Sequence, residues 1–404
     1  MKLSRWPLAL MIATLGGCAS TPLPPWPAPT GSAPPVVSPA APASAPASAP
    51  VEDAVATPVP ASAGPVLSPA AAASSAATAA SAPVVVESAG VAARFPDPSV
   101  SYGTPAFTPG HAGFTSNAEL HAFVRGLVNE GAGRAGAPIV HLVPLGSSQK
   151  GVPIEALHFT RGDRPAPRST VLLVGQQHGD EPAGAEALLV VAQELAQGRL
   201  GRVLDRVDVV ILPRANPDGA ALGRRPSASG IDINRDHLLL RTPEAQALAK
   251  LARQFDPAVV VDAHEYSAIG PWLAKFDAVP AADALLQYAT VANLPPFVTK
   301  AAEEWFRRPL VKRLNEEGLR TDWYRTTSAD LNDRKVSMGG VQPDTERNVA
   351  GLRNAVSLLI ETRGIGLGAA HFGRRVFTQV TAIENVLANA AAHAGDLAKL
   401  RQFV

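Results

Sequence analysis

From residue 117 onward the chain alternates short, unbroken apolar runs with stretches in which apolar residues recur every three or four positions. Residues 171–175 (VLLVG), 207–212 (VDVVIL), 258–262 (AVVVD) and 356–361 (VSLLIE) predict buried strands. The helical period over 183–196, 243–255 and 345–355 predicts helices between or before them. Upstream, AELHAFVRGLV within 117–128 predicts an amphipathic helix. Residues 138–146 and 153–160 predict two strands around a turn containing Gly146, Ser147 and Gly151. The Ala-rich stretch 379–403 predicts a C-terminal helix. Strands apolar throughout, separated by helices, belong to an α/β sheet covered on both faces. Gly131 to Gly136 forms a G-x-G-x-x-G match, but it follows a helix and precedes a strand. That is the reverse of the dinucleotide-binding order, so it reads as a loop.

This pattern is missing from the first quarter of the chain. Residues 21–90 are mostly Ala, Pro, Ser, Thr and Val, with Glu52, Asp53 and Glu87 as the only charges. With so few bulky side chains the stretch cannot offset its chain entropy by burial, and it reads as a disordered tether. Ahead of it, residues 1–5 are basic and 6–15 apolar. That run is too short to cross a bilayer, which takes roughly 20 residues, but it fits a secretory signal. It ends in Leu15-Gly16-Gly17-Cys18, which resembles the bacterial lipobox, whose cysteine is lipidated after cleavage; the competing reading is an ordinary signal with a chance cysteine. Cys18 is the only cysteine among the 404 residues. In a Gram-negative cell, Ala19 after it favours the outer membrane. The expected organisation is a signal at 1–17, a tether at 18–93 and one catalytic domain at 94–404.

The whole chain has 36 Lys+Arg and 35 Asp+Glu. Only Lys2 and Arg5 among the bases precede Arg94, so the expected domain is almost neutral. Lacking a basic run, it does not suit nucleic acid as its main partner.

Ligands of open α/β sheets gather outside the carboxyl ends of the strands, and here polar residues collect at those ends. VLLVG leads into Gln176-Gln177-His178-Gly179-Asp180-Glu181, VDVVIL into Pro213-Arg214-Ala215-Asn216-Pro217-Asp218-Gly219, and AVVVD into Ala263-His264-Glu265. VSLLI leads into Glu361-Thr362-Arg363-Gly364. The H-x-x-E of His178 and Glu181, with His264 from another strand, offers two imidazoles and a carboxylate. That is the ligand set of a catalytic zinc with a fourth position left for water.

In this order the segments LGSSQKGVPIEAL, HGDE, NPDG, LGRRPSASGIDINRD, VVVDAHE and LLIETRG resemble the zinc metallocarboxypeptidases related to carboxypeptidase A, over about residues 118–368. The resemblance implies a mixed, largely parallel sheet with helices on both faces, and one zinc ion held by His178, Glu181 and His264. It implies that Glu361 is the general base for water at the zinc and then passes the proton to the leaving amine. Arg225, with Arg224 as competitor, would polarise the scissile carbonyl. Asn234 and Arg235 would clamp the substrate's terminal carboxylate, and Asp232 would fix the tautomer of His178. The family's mobile tyrosine has no well-placed counterpart among Tyr266, Tyr288 and Tyr324; Tyr324 is the best match. Asp180, His237, Asp218 and Glu265 read as turn or supporting residues, and Arg363 as the partner of a carboxylate.

The expected activity is hydrolysis of an amide bond beside a free carboxylate, by a lipid-anchored enzyme facing the periplasm. Peptides or muropeptides would be its substrates. Two alternatives remain: a zinc deacylase of N-acyl amino acids, similar to succinylglutamate desuccinylase or aspartoacylase, and a non-catalytic lipoprotein that binds peptides.

Overall fold

The structure is a computed structural model and describes residues 86–131, 138–162 and 168–404. The expected signal, Cys18 and nearly all of the expected tether lie outside these residues, as do positions 132–136 of the glycine-rich match.

Eight strands form one sheet: β1 (Ile139–Ser147), β2 (Pro153–Thr160), β3 (Ser169–Gly175), β4 (Val207–Leu212), β5 (Val259–Ser267), β6 (Ala284–Tyr288), β7 (Thr321–Trp323) and β8 (Val356–Ile365). Their order is β1-β2-β4-β3-β5-β8-β6-β7. Pairing is parallel from β4 through β3 and β5 to β8, and again between β6 and β7. It is antiparallel at β1–β2, β2–β4 and β8–β6. The sheet is therefore mixed with a parallel centre.

The central strands read as unbroken apolar runs because both faces are covered. Successive side chains alternate between faces. Val171, Leu173, Val209, Ile211, Val259 and Val261 pack with Leu188 and Leu195 of the Pro182–Ala196 helix and with Val386 and Leu387 of the Phe372–Ala392 helix. Leu172, Val174, Val210, Leu212 and Val260 pack on the other face with Leu248 and Leu251 of the Pro243–Phe255 helix and with Ala350. That second helix has the bounds its sequence predicts: the Thr242 side chain caps the Ala245 N–H, Pro243 opens the first turn, and Asp256 at φ 41° ends it.

The chain winds from β3 to β4 on one side and returns from β4 to β5 on the other. The carboxyl ends of β3 and β5 thus flank a topological switch point, where α/β sheets place ligands.

Several elements differ from the sequence-based expectation. β5 and β8 run past Asp262 and Glu361 to Ser267 and Ile365, so His264 and Glu361 sit within strands and face each other in register. The expected helix over 345–355 spans only Glu346–Leu352, with the chain turning out at Asn354 (φ 59°). The C-terminal helix starts earlier, at Phe372, and is interrupted at His393. β6, β7 and the helical stretch from Pro296 to Glu316 were not anticipated. Packing also begins upstream of Arg94. Glu87, whose side chain is covered, pairs with Arg363 and lies 3.0 Å from His371 Nε2, which gives Arg363 a carboxylate partner.

Candidate active site

The turn after β3 is built to hold His178 close to the sheet. Gln176 takes a left-handed conformation (φ 49°). A Cβ on Gly179 would fall 2.0 Å from the Gly219 carbonyl carbon, so the HGDE turn packs backbone to backbone on the NPDG turn. Asn216 locks the two together. Its side-chain oxygen accepts from the Gly219 N–H at 2.9 Å, and its amide donates to the carbonyls of Gln177 and Arg225, both at 3.2 Å. Asp218 accepts from Ser148 Oγ (2.7 Å) and the Lys150 N–H (3.0 Å), tying in the turn between β1 and β2.

His178, Glu181 and His264 meet at the switch point, all buried, with their ligand atoms within 4.8 Å of one another. The two oxygens of Glu181 each lie 2.7 Å from a histidine Nδ1, Oε1 from His178 and Oε2 from His264. The far ring nitrogens face carboxylates: His178 Nε2 is 3.1 Å from Asp232 Oδ1, and His264 Nε2 is 2.9 Å from Asp262 Oδ1. These contacts favour protons on the Nε2 atoms, leaving two Nδ1 lone pairs directed at each other across 3.1 Å and at carboxylate oxygens. Such an arrangement is repulsive unless a cation lies between the donors. Two imidazoles and a carboxylate, each ring backed by its own carboxylate, fit zinc.

A cavity of about 620 Å³ opens over this cluster, a size suited to a small ligand or a peptide end. Glu361 lines it and is buried. Burial and the Glu181 charge push its carboxyl up, against His264, His178 and Arg225, to about 7. Arg225 also lines the cavity, whereas Arg224 does not. Its Nε and Nη2 donate to Asp232 Oδ2 at 3.1 and 2.9 Å, and Nη1 lies 3.5 Å from Glu181 Oε1. Asp232 resists protonation despite its burial, because His178 and Arg225 both favour its charged form.

Asn234 and Arg235 share the short helical turn Ile233–Arg235 but face different tasks. Asn234 is buried with Nδ2 3.3 Å from Asp262 Oδ2 and 3.0 Å from His264 Nε2, while its oxygen accepts from the Glu346 N–H at 2.8 Å. That amide donates to Asp262, the carboxylate behind His264, so of the two residues only the exposed Arg235 is free to reach a substrate. Tyr324 follows β7 and lines the cavity; burial and nearby Glu361 raise its phenol to about 12. Tyr266 lines it too, but its hydroxyl donates to the Ala282 carbonyl. Tyr288 packs edge-on against Trp323.

Residues 134–293 match the model of the zinc carboxypeptidase family. That match spans 160 of the 404 residues. The family's metal is zinc, and His178, Glu181 and His264 are the residues here that would hold it. The chain is 33% identical over 223 residues to a probable carboxypeptidase 2 of Trichophyton verrucosum, and 34% identical over 223 residues to carboxypeptidase 2 of Trichophyton rubrum. These alignments cover 54% of this chain but 43% and 41% of the relatives, so the chain spans under half the length of the curated proteins it matches. A metallo-carboxypeptidase structure from Burkholderia cenocepacia superposes with a TM-score of 0.52 at 16% identity, covering 69% of this chain and 70% of that one. Thrombin-activatable fibrinolysis inhibitor gives 0.51 at 15%, covering 71% and 75%. At such identities the likeness concerns the fold, and it agrees with the sheet described above.

Sequence reasoning overlooked two features of this candidate site and left the partner of a third unnamed. Asp262, behind His264, was taken only as the last strand residue. Glu265, read as a turn or supporting residue, supports the end of β5 by accepting from Arg375 Nε and Nη2 at 2.7 and 2.9 Å. Arg347, buried in the cavity wall, had no motif around it. Of these, only Asp262 had a usable signal, its place two residues before the histidine.

Proposed function

We propose that this chain is a zinc metallocarboxypeptidase that hydrolyses the amide bond next to a free terminal carboxylate. The observation that carries the reading is the placement of Glu361. Its side chain lines the same cavity as His178 and Glu181 and stands in register with His264 on the adjacent strand.

Zinc bound there supplies Lewis acidity, polarising the scissile carbonyl and making water a better nucleophile near neutral pH. The remaining chemistry belongs to the chain. Glu361 removes a proton from the attacking water and later returns it to the leaving nitrogen as the C–N bond breaks, leaving one new carboxylate and one free amine. Arg225, held in place by Asp232, faces the oxygen that gains negative charge. Arg235 takes the terminal carboxylate, with Asn234 steadying Asp262 behind His264. Tyr324 covers the substrate from the β7 side.

In the cell, a lipid on Cys18 would tether the domain to the outer membrane facing the periplasm, with cell-wall peptides within its reach. Lipobox-like LGGC and the long Ala/Pro/Ser segment support this placement.

The test is a peptide panel presented to the zinc-loaded protein, each peptide with a free and an amidated C-terminus, purified muropeptides included. Release of the C-terminal residue only from free termini, lost in Glu361→Gln, is the expected result. Cleavage of N-acyl amino acids in place of peptides would replace the reading by a deacylase, and zinc binding without hydrolysis would replace it by a binding protein.

A further inference from the structure

The cavity wall holds more fixed positive charge than one terminal carboxylate requires. Four arginines line it. Arg225 is committed to Asp232, and Arg325 to Asp322. Arg235 and Arg347 have no carboxylate within ion-pair distance among the described residues. Nη1 of Arg235 donates to the Asn234 carbonyl at 2.5 Å. Nη2 of Arg347 donates to the Gly340 carbonyl at 3.1 Å and to Thr290 Oγ1 at 3.4 Å, and its Nε has no hydrogen-bond partner among the described residues.

Arg347 is the unusual one, because it is only 4% exposed. A guanidinium taken out of water and given only neutral hydrogen-bond acceptors is costly, and Glu361 and Asp262 act on this one only from beyond ion-pair distance. Its position accounts for it. Arg347 stands in the first turn of the Glu346–Leu352 helix, with its charge centre 5.8 Å from the Tyr324 ring. The Asn234 oxygen fixes that helix end through the Glu346 N–H. The guanidinium is therefore set rigidly in the same wall as Tyr324, Arg235 and Glu361.

We infer that Arg347 selects substrates whose C-terminal residue carries a second carboxylate, on its side chain, with Arg235 holding the terminal one. Arg347 is here a specificity-determining residue, and the substrate class is peptides ending in a dicarboxylic amino acid. The inference rests on the carboxypeptidase reading, since it assumes that the terminal residue occupies this cavity. A guanidinium facing a carboxylate makes a charge-assisted, geometrically matched pair, whereas a C-terminal amide of the same shape leaves the charge uncompensated.

Two peptides identical except for a C-terminal Glu or Gln test this in the whole protein. For cleavage by the zinc-loaded enzyme, kcat/KM is expected to favour Glu by at least about tenfold. Arg347→Gln should collapse that ratio to near one, and Arg347→Lys, which keeps the charge, should restore part of it. Binding of the same peptides to zinc-loaded Glu361→Gln, measured by calorimetry, reads the preference without turnover. Equal or better handling of the Gln peptide by the wild-type protein, in cleavage and in binding, overturns the inference while leaving the carboxypeptidase reading intact. A Glu preference in binding that depends on Arg347, with neither peptide cleaved by the wild type, supports the inference and removes the carboxypeptidase reading instead.

Discussion

Asp232 grips Arg225 with two nitrogens on one oxygen, at 3.1 and 2.9 Å, while its other oxygen lies 3.1 Å from Nε2 of the zinc-site histidine His178. One carboxylate thus orients a metal ligand and the cation that would face the reacting carbonyl. Replacing it disturbs both. In Asp232→Asn the charge that holds the Arg225 fork is gone, and the His178 ring loses its fixed proton position. Zinc affinity, measured by competition with a chelator, should fall about 10–100-fold. Activity under saturating zinc should remain reduced, because Arg225 is no longer held. Full recovery at saturating zinc would mean that Asp232 serves the metal alone.

Glu361 should leave its mark on the pH profile. Its carboxyl is raised by burial to about 7 when no cation offsets the desolvation, and a bound zinc ion draws it down again. The base works deprotonated, so kcat/KM should rise with pH along an acid limb at or below about 7 and then level off. Glu361→Gln should lower kcat by 10²-fold or more, in line with about 10²–10⁴-fold from a positioned acid–base group, and abolish that limb. A limb of unchanged position in the variant would assign it to another group.

The parts of this molecule that were legible in its sequence are those where one physical signal dominates. VLLVG, VDVVIL, AVVVD and VSLLI are unbroken because helices cover both faces, and no loop or exposed strand imitates that. The polar residues that follow them include His178, Glu181 and His264, which meet in one buried cluster, and Glu361, which lines the cavity over it. The ends of β5 and β8 were misjudged for the same reason. AHEYS and TRGI break the apolar run, yet they stay in the sheet because His264, Glu265 and Arg363 find buried partners in Asp262, Arg375 and Glu87. β7 has only three residues at a sheet edge, too few for any period to show. Arg347 sits in DTERN beside ordinary polar neighbours, and only the tertiary fold brings it to the cavity. Asn234 shows the converse. Its motif brings it to the candidate site, but which way its amide faces depends on Asp262 and on the Glu346 N–H, neither of which is near it in sequence.

A carboxyl pair between the Pro182–Ala196 and Phe372–Ala392 helices should make stability fall as pH rises from about 4.5 to about 8. Glu384 is raised to about 8, first by burial and then by its hydrogen bond to Glu194 and that residue's charge. In the unfolded chain it titrates near 4.5. Between these values the folded state holds a proton that the unfolded state has released, so stability declines as pH rises through this window and the loss is complete above about 8. Glu384→Gln keeps a hydrogen-bonding group without the charge. It should be more stable than the parent at pH 8.5, by about 1 kcal/mol once solvent screening of a half-buried group is allowed for, and little different at pH 5. Calorimetric Tm values at the two pH values decide it; an equal shift at both would point to packing in place of charge.

Gly364 gives the sharpest steric test. It lies in β8 three residues after Glu361, against the buried Glu265–Arg375 pair. A Cβ there would fall 1.8 Å from Glu265 Oε1 and 2.8 Å from Arg375 Nε. Both side chains are almost fully buried and have little room to retreat. Glu265 also accepts from the Ala183 N–H at 2.9 Å, at the start of the helix that follows Glu181. Gly364→Ala must therefore part the ion pair or push β8 outward. Breaking a buried pair on one side costs about 3–5 kcal/mol, so the variant should melt far below the parent. Zinc should bind more weakly as well, because Glu265 links the first turn after Glu181 to the strand that carries His264. Gly364→Ala in an Arg375→Met background relieves the clash with the arginine but leaves Glu265 unpaired, so it should not recover stability. Recovery there would mean that crowding against Arg375, and not loss of the pair, is what destabilises the single variant.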